Sequence, residues 1–203
     1  MLLGALEAAW LAIGARHPDL PPAQIIVAQG SGPGGGLVLG HLAPDRWQTA
    51  GGGELVHELL IGGEGLARGA HDVFTTVLHE AAHALALARA IADTSTDGRY
   101  HNARYKQLAE ELGLHVERDR HFGWSSTTLA SATSQRYEAA IDAIANAITR
   151  HRLSEPSPRA GRNLRPALCA CPRRIRVAQG TLAAGAIICG VCQQPFRVEE
   201  TPS

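Results

Sequence analysis

The pentapeptide His79-Glu80-Ala81-Ala82-His83 lies inside a stretch, Gly69 to Ala92, that holds no proline and no internal glycine. Val73, Phe74, Val77, Leu78, Ala81 and Leu85 recur there at helical spacing, which predicts one amphipathic helix. Residues four apart on a helix share a face, with Cβ atoms roughly 5–6 Å apart. Two imidazoles so placed can reach one zinc ion at about 2.0–2.1 Å. Glu80 projects from the same turn, where it can take a proton from water activated by the ion. One element therefore offers two ligands and a general base, the pattern of a zinc-dependent peptidase. Imidazoles set among Ala82, Ala86 and Leu87 need polar partners, and a metal ion supplies one for both.

A catalytic zinc takes a third protein ligand and keeps one position open. The metzincin extension places glycine three residues past the second histidine, and Ala86 stands there, so that class is excluded. His101 comes after His83 with seventeen intervening residues and is expected to open the next helix, over about His101 to Leu112. It is the leading candidate, Glu110 or Glu111 are the thermolysin-like alternatives, and Asp93 and Asp97 are outsiders. His71 lies two turns before His79, too far for the same ion. His57 alternates with Leu55, Leu59 and Ile61 and reads as a core histidine rather than a ligand. His121 is a candidate donor to a transition-state oxygen that no spacing requires.

On the N-terminal side of this helix, Leu2–Arg16 is expected to be an amphipathic helix, stopped by His17-Pro18 and Pro21-Pro22. Gln24–Ala28, Leu37–Leu39 and Glu54–Ile61 read as three strands, the last expected to run beside the cleft and pair with an extended substrate. Gly30, Gly32 and Gly35 satisfy G-x-G-x-x-G, but Gly40 and Pro44 interrupt the next segment, so a hairpin loop is expected rather than a dinucleotide site. On the C-terminal side, His115–Ser126 reads as irregular. Ser134–His151 reads as one helix with Tyr137, Ile141, Ile144 and Ile148 on a face.

Leu78-His79-Glu80-Ala81-Ala82-His83 followed by Tyr100-His101-Asn102-Ala103-Arg104-Tyr105 resembles the SprT-like (Spartan-related) zinc metallopeptidases. The resemblance covers roughly Leu55 to Leu112. It implies that His79, His83 and His101 hold a catalytic zinc, that Glu80 is the catalytic base, and that the substrate is a protein or peptide.

The chain closes on Cys169-x-Cys171, seventeen residues, and Cys189-x-x-Cys192. Two close thiolate pairs suit one tetrahedral structural zinc, and about 35 residues are too few to fold without it. Arg173–Ala178 and Ala186–Ile188 are expected to form strands of a small ribbon. SprT-like proteins often end in such a ribbon. Arg173, Arg174 and Arg176 are candidate nucleic-acid contacts, so DNA is a candidate partner of the tail. The zero formal charge of the whole chain argues against wholesale binding to nucleic acid.

The expected fold is α+β: a small zincin-like metallopeptidase domain over residues 1–152, helices packed on a short three-stranded sheet, then a linker over 153–166 and a four-cysteine zinc ribbon over 167–203. No stretch reaches membrane-spanning length, and Met1–Ile13 lacks a basic leader and carries Glu7. Paired cysteines read as metal ligands point to a reducing, cytoplasmic setting.

Overall fold

A computed structural model describes residues 1–31, 36–96, 98–154 and 164–198. They fall into two compact units, residues 1–31, 36–96 and 98–154 in one and 164–198 in the other. The chain is mixed α and β with small sheets.

In the first unit, helix α1 (Leu2–Gly14) buries Leu6, Ala9, Trp10 and Ile13. A three-stranded sheet comes next, made of β1 (Ala23–Ala28), β2 (Gly40–Gln48) and β3 (Leu55–Gly62). Its order is β1-β3-β2, with β1 parallel and β2 antiparallel to β3. The strand next to the glycine-rich loop therefore differs from the expectation: Leu37–Leu39 forms no strand, and β2 starts at Gly40 and passes through Pro44. The ladder to β3 shifts between Ala43 and Trp47, and Asp45 has a positive φ of 54°. Proline is tolerated there because a strand at the sheet's edge can carry a bulge where no ladder bond is required. β3 is the middle strand with both edges occupied, so the edge strands are β1 and β2, not β3.

Residues 32–35 of the glycine-rich loop lie outside the described residues, but Ser31 and Leu37 bridge antiparallel across it. A strand succeeds the loop, so no helix N-terminus faces it.

A 3-10 turn (Gly63–Arg68) leads into α2 (Ala70–Ala88), which carries the paired histidines. All six apolar positions that announced this helix are at most 1% exposed. Its C-terminus turns on Ala90, at φ 52°, with the amide of Ile91 bonded to the Ala86 carbonyl (2.8 Å) and that of Ala90 to Leu87 (3.1 Å). This paired arrangement satisfies the last carbonyls and sends the chain back along the helix. Next come β4 (Thr94–Ser95), β5 (Tyr100–His101), α3 (Ala103–Glu111), β6 (Leu114–Asp119) and β7 (Gly123–Leu129). They build a second sheet of order β4-β5-β7-β6. The segment expected to be irregular is thus a hairpin, and His101 ends a short strand rather than opening a helix. Asn102 caps α3, its Oδ1 accepting from the amides of Arg104 (2.8 Å) and Tyr105 (3.3 Å).

The last expected helix is two, α4 (Ser131–Arg136) and α5 (Glu138–Ala147), broken at Tyr137. Tyr137 leaves helical geometry (φ −111°) while its ring packs on Phe74 at 5.1 Å. Ile141 and Ile144 are buried as the pattern required.

The second unit holds β8 (Leu164–Leu168), β9 (Arg174–Ala178), α6 (Gln179–Ala184) and β10 (Arg197–Val198), in a sheet of order β10-β8-β9. β8 begins inside the segment expected to be linker, of which residues 155–163 lie outside the described ones. Ala186–Ile188 is not a strand; only Ile188 bridges, to Pro195. No described helix is long and apolar enough to cross a membrane.

Candidate metal centre

His79 and His83 leave α2 one turn apart, and β5 lays His101 across them. The three imidazole centroids form a near-equilateral triangle of 5.0–5.3 Å. One ligand atom from each lies within 4.8 Å of the others, so the group could hold a metal ion. The Nε2 atoms of His83 and His101 are 3.2 Å apart. Two nitrogens bound to one tetrahedral zinc at about 2.0–2.1 Å sit roughly 3.3 Å apart, so this pair fits the ion without rearrangement.

The second nitrogens explain the orientation. His83 Nδ1 lies 2.6 Å from Asp93 Oδ2, His101 Nδ1 3.2 Å from the Phe122 carbonyl, and His79 Nδ1 3.3 Å from Thr127 Oγ1. Each partner accepts a proton from Nδ1, which leaves Nε2 as the lone-pair atom facing the common centre. Burial is the main cause that holds His79 well below the usual histidine range, and it lowers His101 too, with the neighbouring imidazoles adding to both. Neutral imidazole is the ligating form.

Tyr105 forms the floor. It is fully buried, and its ring lies 4.5–5.0 Å from all three imidazoles. Its hydroxyl points at the His79 carbonyl (3.5 Å), and burial raises its pKa well above the usual phenol value.

Glu80 is 5% exposed, beside the triangle. Burial pushes its carboxyl up to about 7; the neighbouring His83 ring and the Leu42 amide oppose this, and Asp93 adds to it. A dication in the triangle would draw it back down. Gly40 makes room for it: a Cβ there would lie 2.6 Å from Thr76 Cγ2 and 2.9 Å from Glu80 Oε1.

The centre opens on a groove with two lobes that share Gly40, His79, Glu80, Gly98 and His101. One, of about 620 Å³, continues past Leu37–Leu39 of the chain before β2 and Ser125–Thr127 of β7. The other, of about 400 Å³, continues past His41, Leu42 and Pro44. β2 therefore runs along the groove from one lobe to the other.

The remaining candidates sit elsewhere. Glu111 binds Arg89 through both oxygens (2.7 and 2.8 Å), and Glu110 pairs with Lys106 (3.5 Å), so neither joins the triangle. Asp93 contacts His83 from behind, and Asp97 lies outside the described residues. His57 Nδ1 accepts from the Asp45 amide (3.2 Å), and His71 Nδ1 lies 3.4 Å from Ser134 Oγ. His121 is exposed in the β6–β7 turn and lines neither lobe. Thr127, the Phe122 carbonyl and Tyr105 carry no sequence signal, since each is defined only by a contact made across the fold.

In the second unit, Cys169, Cys171, Cys189 and Cys192 bring their sulfurs within 4.8 Å of one another and could hold a metal ion. Cys169 and Cys171 are 3.3 Å apart and Cys171 and Cys189 3.7 Å, near the roughly 3.8 Å edge of a tetrahedral zinc–thiolate site. The amides of Cys192 and Val191 draw the Cys189 thiol down to about 6, and the Gln194 amide lowers Cys192. Amides turned onto sulfur favour thiolate, the form a metal binds. The register places Arg174, Arg176 and Arg197 on one face with Pro166 and Leu168, whose cross-strand partners they are. Arg173 precedes β9 and is exposed. No family model, curated protein or solved structure matches this chain.

Proposed function

We propose that the chain is a zinc metallopeptidase of the SprT-like kind, with a zincin-like catalytic unit and a structural zinc ribbon. The observation that carries this reading is the set of three imidazoles, each tied at Nδ1 and turned through Nε2 to one point beside a buried glutamate. His79, His83 and His101 would hold one zinc ion, and the four cysteines another. Zinc held at the first site would supply a Lewis acid, able to polarise a carbonyl and to make water acidic enough to attack near neutral pH. Glu80 takes the proton of the attacking water and delivers it to the leaving amine. Burial keeps that carboxylate away from bulk water, and Gly40 lets it stand against β2. The open edge of β2 receives an extended peptide by main-chain pairing, which carries the scissile bond past Glu80.

A specific observation favours a second role for the tail. Arg174, Arg176 and Arg197 on one face make a cationic surface that suits a nucleic-acid backbone, so DNA-associated proteins are the substrate class we favour. A protein that binds DNA through the ribbon and a partner through the zincin-like unit, without cutting, is the alternative.

The test is a gel assay of the zinc-loaded protein and its Glu80→Gln variant with casein, a DNA-bound basic protein, and the protein itself, with and without single-stranded DNA. Cleavage by the wild type alone supports the peptidase. Equal cleavage by both sinks the role given to Glu80, and none from either, at two zincs per chain, favours the non-cutting binder.

A further inference from the structure

The larger lobe holds two guanidinium groups, those of Arg68 and Arg99, while Glu80 is its one acidic lining residue among those described. Arg68 stands at the end of the 3-10 turn. Its Nη2 donates to Thr76 Oγ1 (2.8 Å) and the Asp72 carbonyl (3.4 Å), and its Nε to the Gly65 carbonyl (3.3 Å). None of these acceptors is charged, and Nη1 has no partner among the described residues. Thr76 lies one helical turn before Glu80, so the guanidinium is fixed roughly 6 Å along α2 from the general base. An arginine held by three neutral oxygens at the wall of a cleft keeps its full charge for a ligand.

The rim tells which ligand. Leu37, Val38 and Phe122 are 46–55% exposed and line the same lobe. Apolar walls around a fixed guanidinium suit a peptide residue with a carboxylate, whose planar oxygens match the guanidinium fork. A polyanionic backbone would want a continuous cationic track instead. Direction comes from pairing. A peptide added antiparallel to β2 lays its C-terminal side toward the start of β2, where this lobe lies.

We infer that the lobe beyond Gly40 receives a peptide carboxylate, from an Asp or Glu side chain or from the chain's own C-terminus, on the C-terminal side of the scissile bond and paired to Arg68. This deepens the peptidase reading and rests on it for the position of the scissile bond.

The experiment is fluorescence anisotropy on the zinc-loaded Glu80→Gln protein with labelled alanine-rich octapeptides. Each carries one Glu, or Gln in its place, at successive positions, with a free or an amidated C-terminus. Glu binds roughly tenfold tighter than Gln at one position, or the free terminus than the amide, and Arg68→Met in the same background abolishes the difference. Arg99→Met reduces it without abolishing it. Equal binding of all peptides, or a preference that survives Arg68→Met, overturns the inference. Where Arg68→Met misfolds, Arg68→Gln takes its place with the same two outcomes. Cleavage by the wild type without charge preference overturns the inference and leaves the peptidase standing. Carboxylate-dependent binding with no cleavage leaves the pocket standing and sinks the peptidase.

Discussion

The Oδ2 atom of Asp93 lies 2.6 Å from Nδ1 of His83, and both side chains are shielded, 14% and 19% exposed. The carboxylate fixes the imidazole's tautomer and strengthens Nε2 as a ligand. Asp93→Ala should weaken metal binding roughly 10–100-fold while the core stays folded. Competition with a fluorescent chelator measures it; unchanged affinity would show the contact to be incidental.

Gly123 bridges His101 across β5 and β7 at φ 72°, and a Cβ there would run into the His101 carbonyl oxygen. Gly123→Ala combines a left-handed backbone, costing about 1–2 kcal/mol, with displacement of the third imidazole. Lower metal content at equal protein, together with a lower melting temperature, is the expected result.

Ala90 holds a left-handed conformation at the end of α2 without the freedom of glycine. Ala90→Gly relieves that strain and should raise stability by about 0.5–1 kcal/mol, net of the flexibility added to the unfolded chain. Urea denaturation reads it, and a loss of stability would mean that the Ala90 methyl is needed for packing.

Glu64 accepts from the Ser31 hydroxyl (2.7 Å) and the Gly30 amide (2.8 Å), with Arg152 at 3.3 Å. The Ser31 hydrogen bond, then that of Gly30, lowers its carboxyl to about 2. The folded value lies below the unfolded one, about 4.3, so the stabilisation is complete above the unfolded value and lost as pH falls through the folded one. The urea midpoints of wild type and Glu64→Gln should converge between pH about 4.5 and 2. A gap that does not change with pH would contradict this.

Chelation should unfold residues 164–198 while the apolar core of the first unit persists. That core is built around α2, whereas the second unit buries few apolar side chains, chiefly Ala167 and Val177 besides its cysteines. Limited trypsin digestion after chelation should cut first at Arg173, Arg174 and Arg176. Equal resistance with and without chelator would show that the ribbon folds unaided.

How legible each feature is in the sequence tracks the distance over which it is decided. The α2 helix and its two imidazoles come from a local period, and His101 is nameable because its neighbours form a recognisable string. Asn102 accounts for the difference in its place: as the cap it starts α3 two residues later, at Ala103, leaving His101 to a strand. β2 is hidden because Gly40 and Pro44 read as breakers, yet on an edge with a bulge neither stops pairing. The β6–β7 hairpin has short polar strands whose burial comes from α2 and α3, so alternation alone does not announce it. Thr127 stands 48 residues from His79, and only the folded sheet brings them together.

The irregularity after Ala43 also limits what β2 can grip. Its regular ladder runs from Gly40 to Ala43, about 13 Å of strand. On the proposed peptidase reading, the footprint would be some four residues, and every one would have to present unpaired main chain. Folded domains keep such stretches engaged in their own sheets and helices, so they are poor prey. Such selectivity would need no inhibitor and no lid; it would discriminate by the state of the target, favouring frayed tails, linkers and damaged chains over intact proteins.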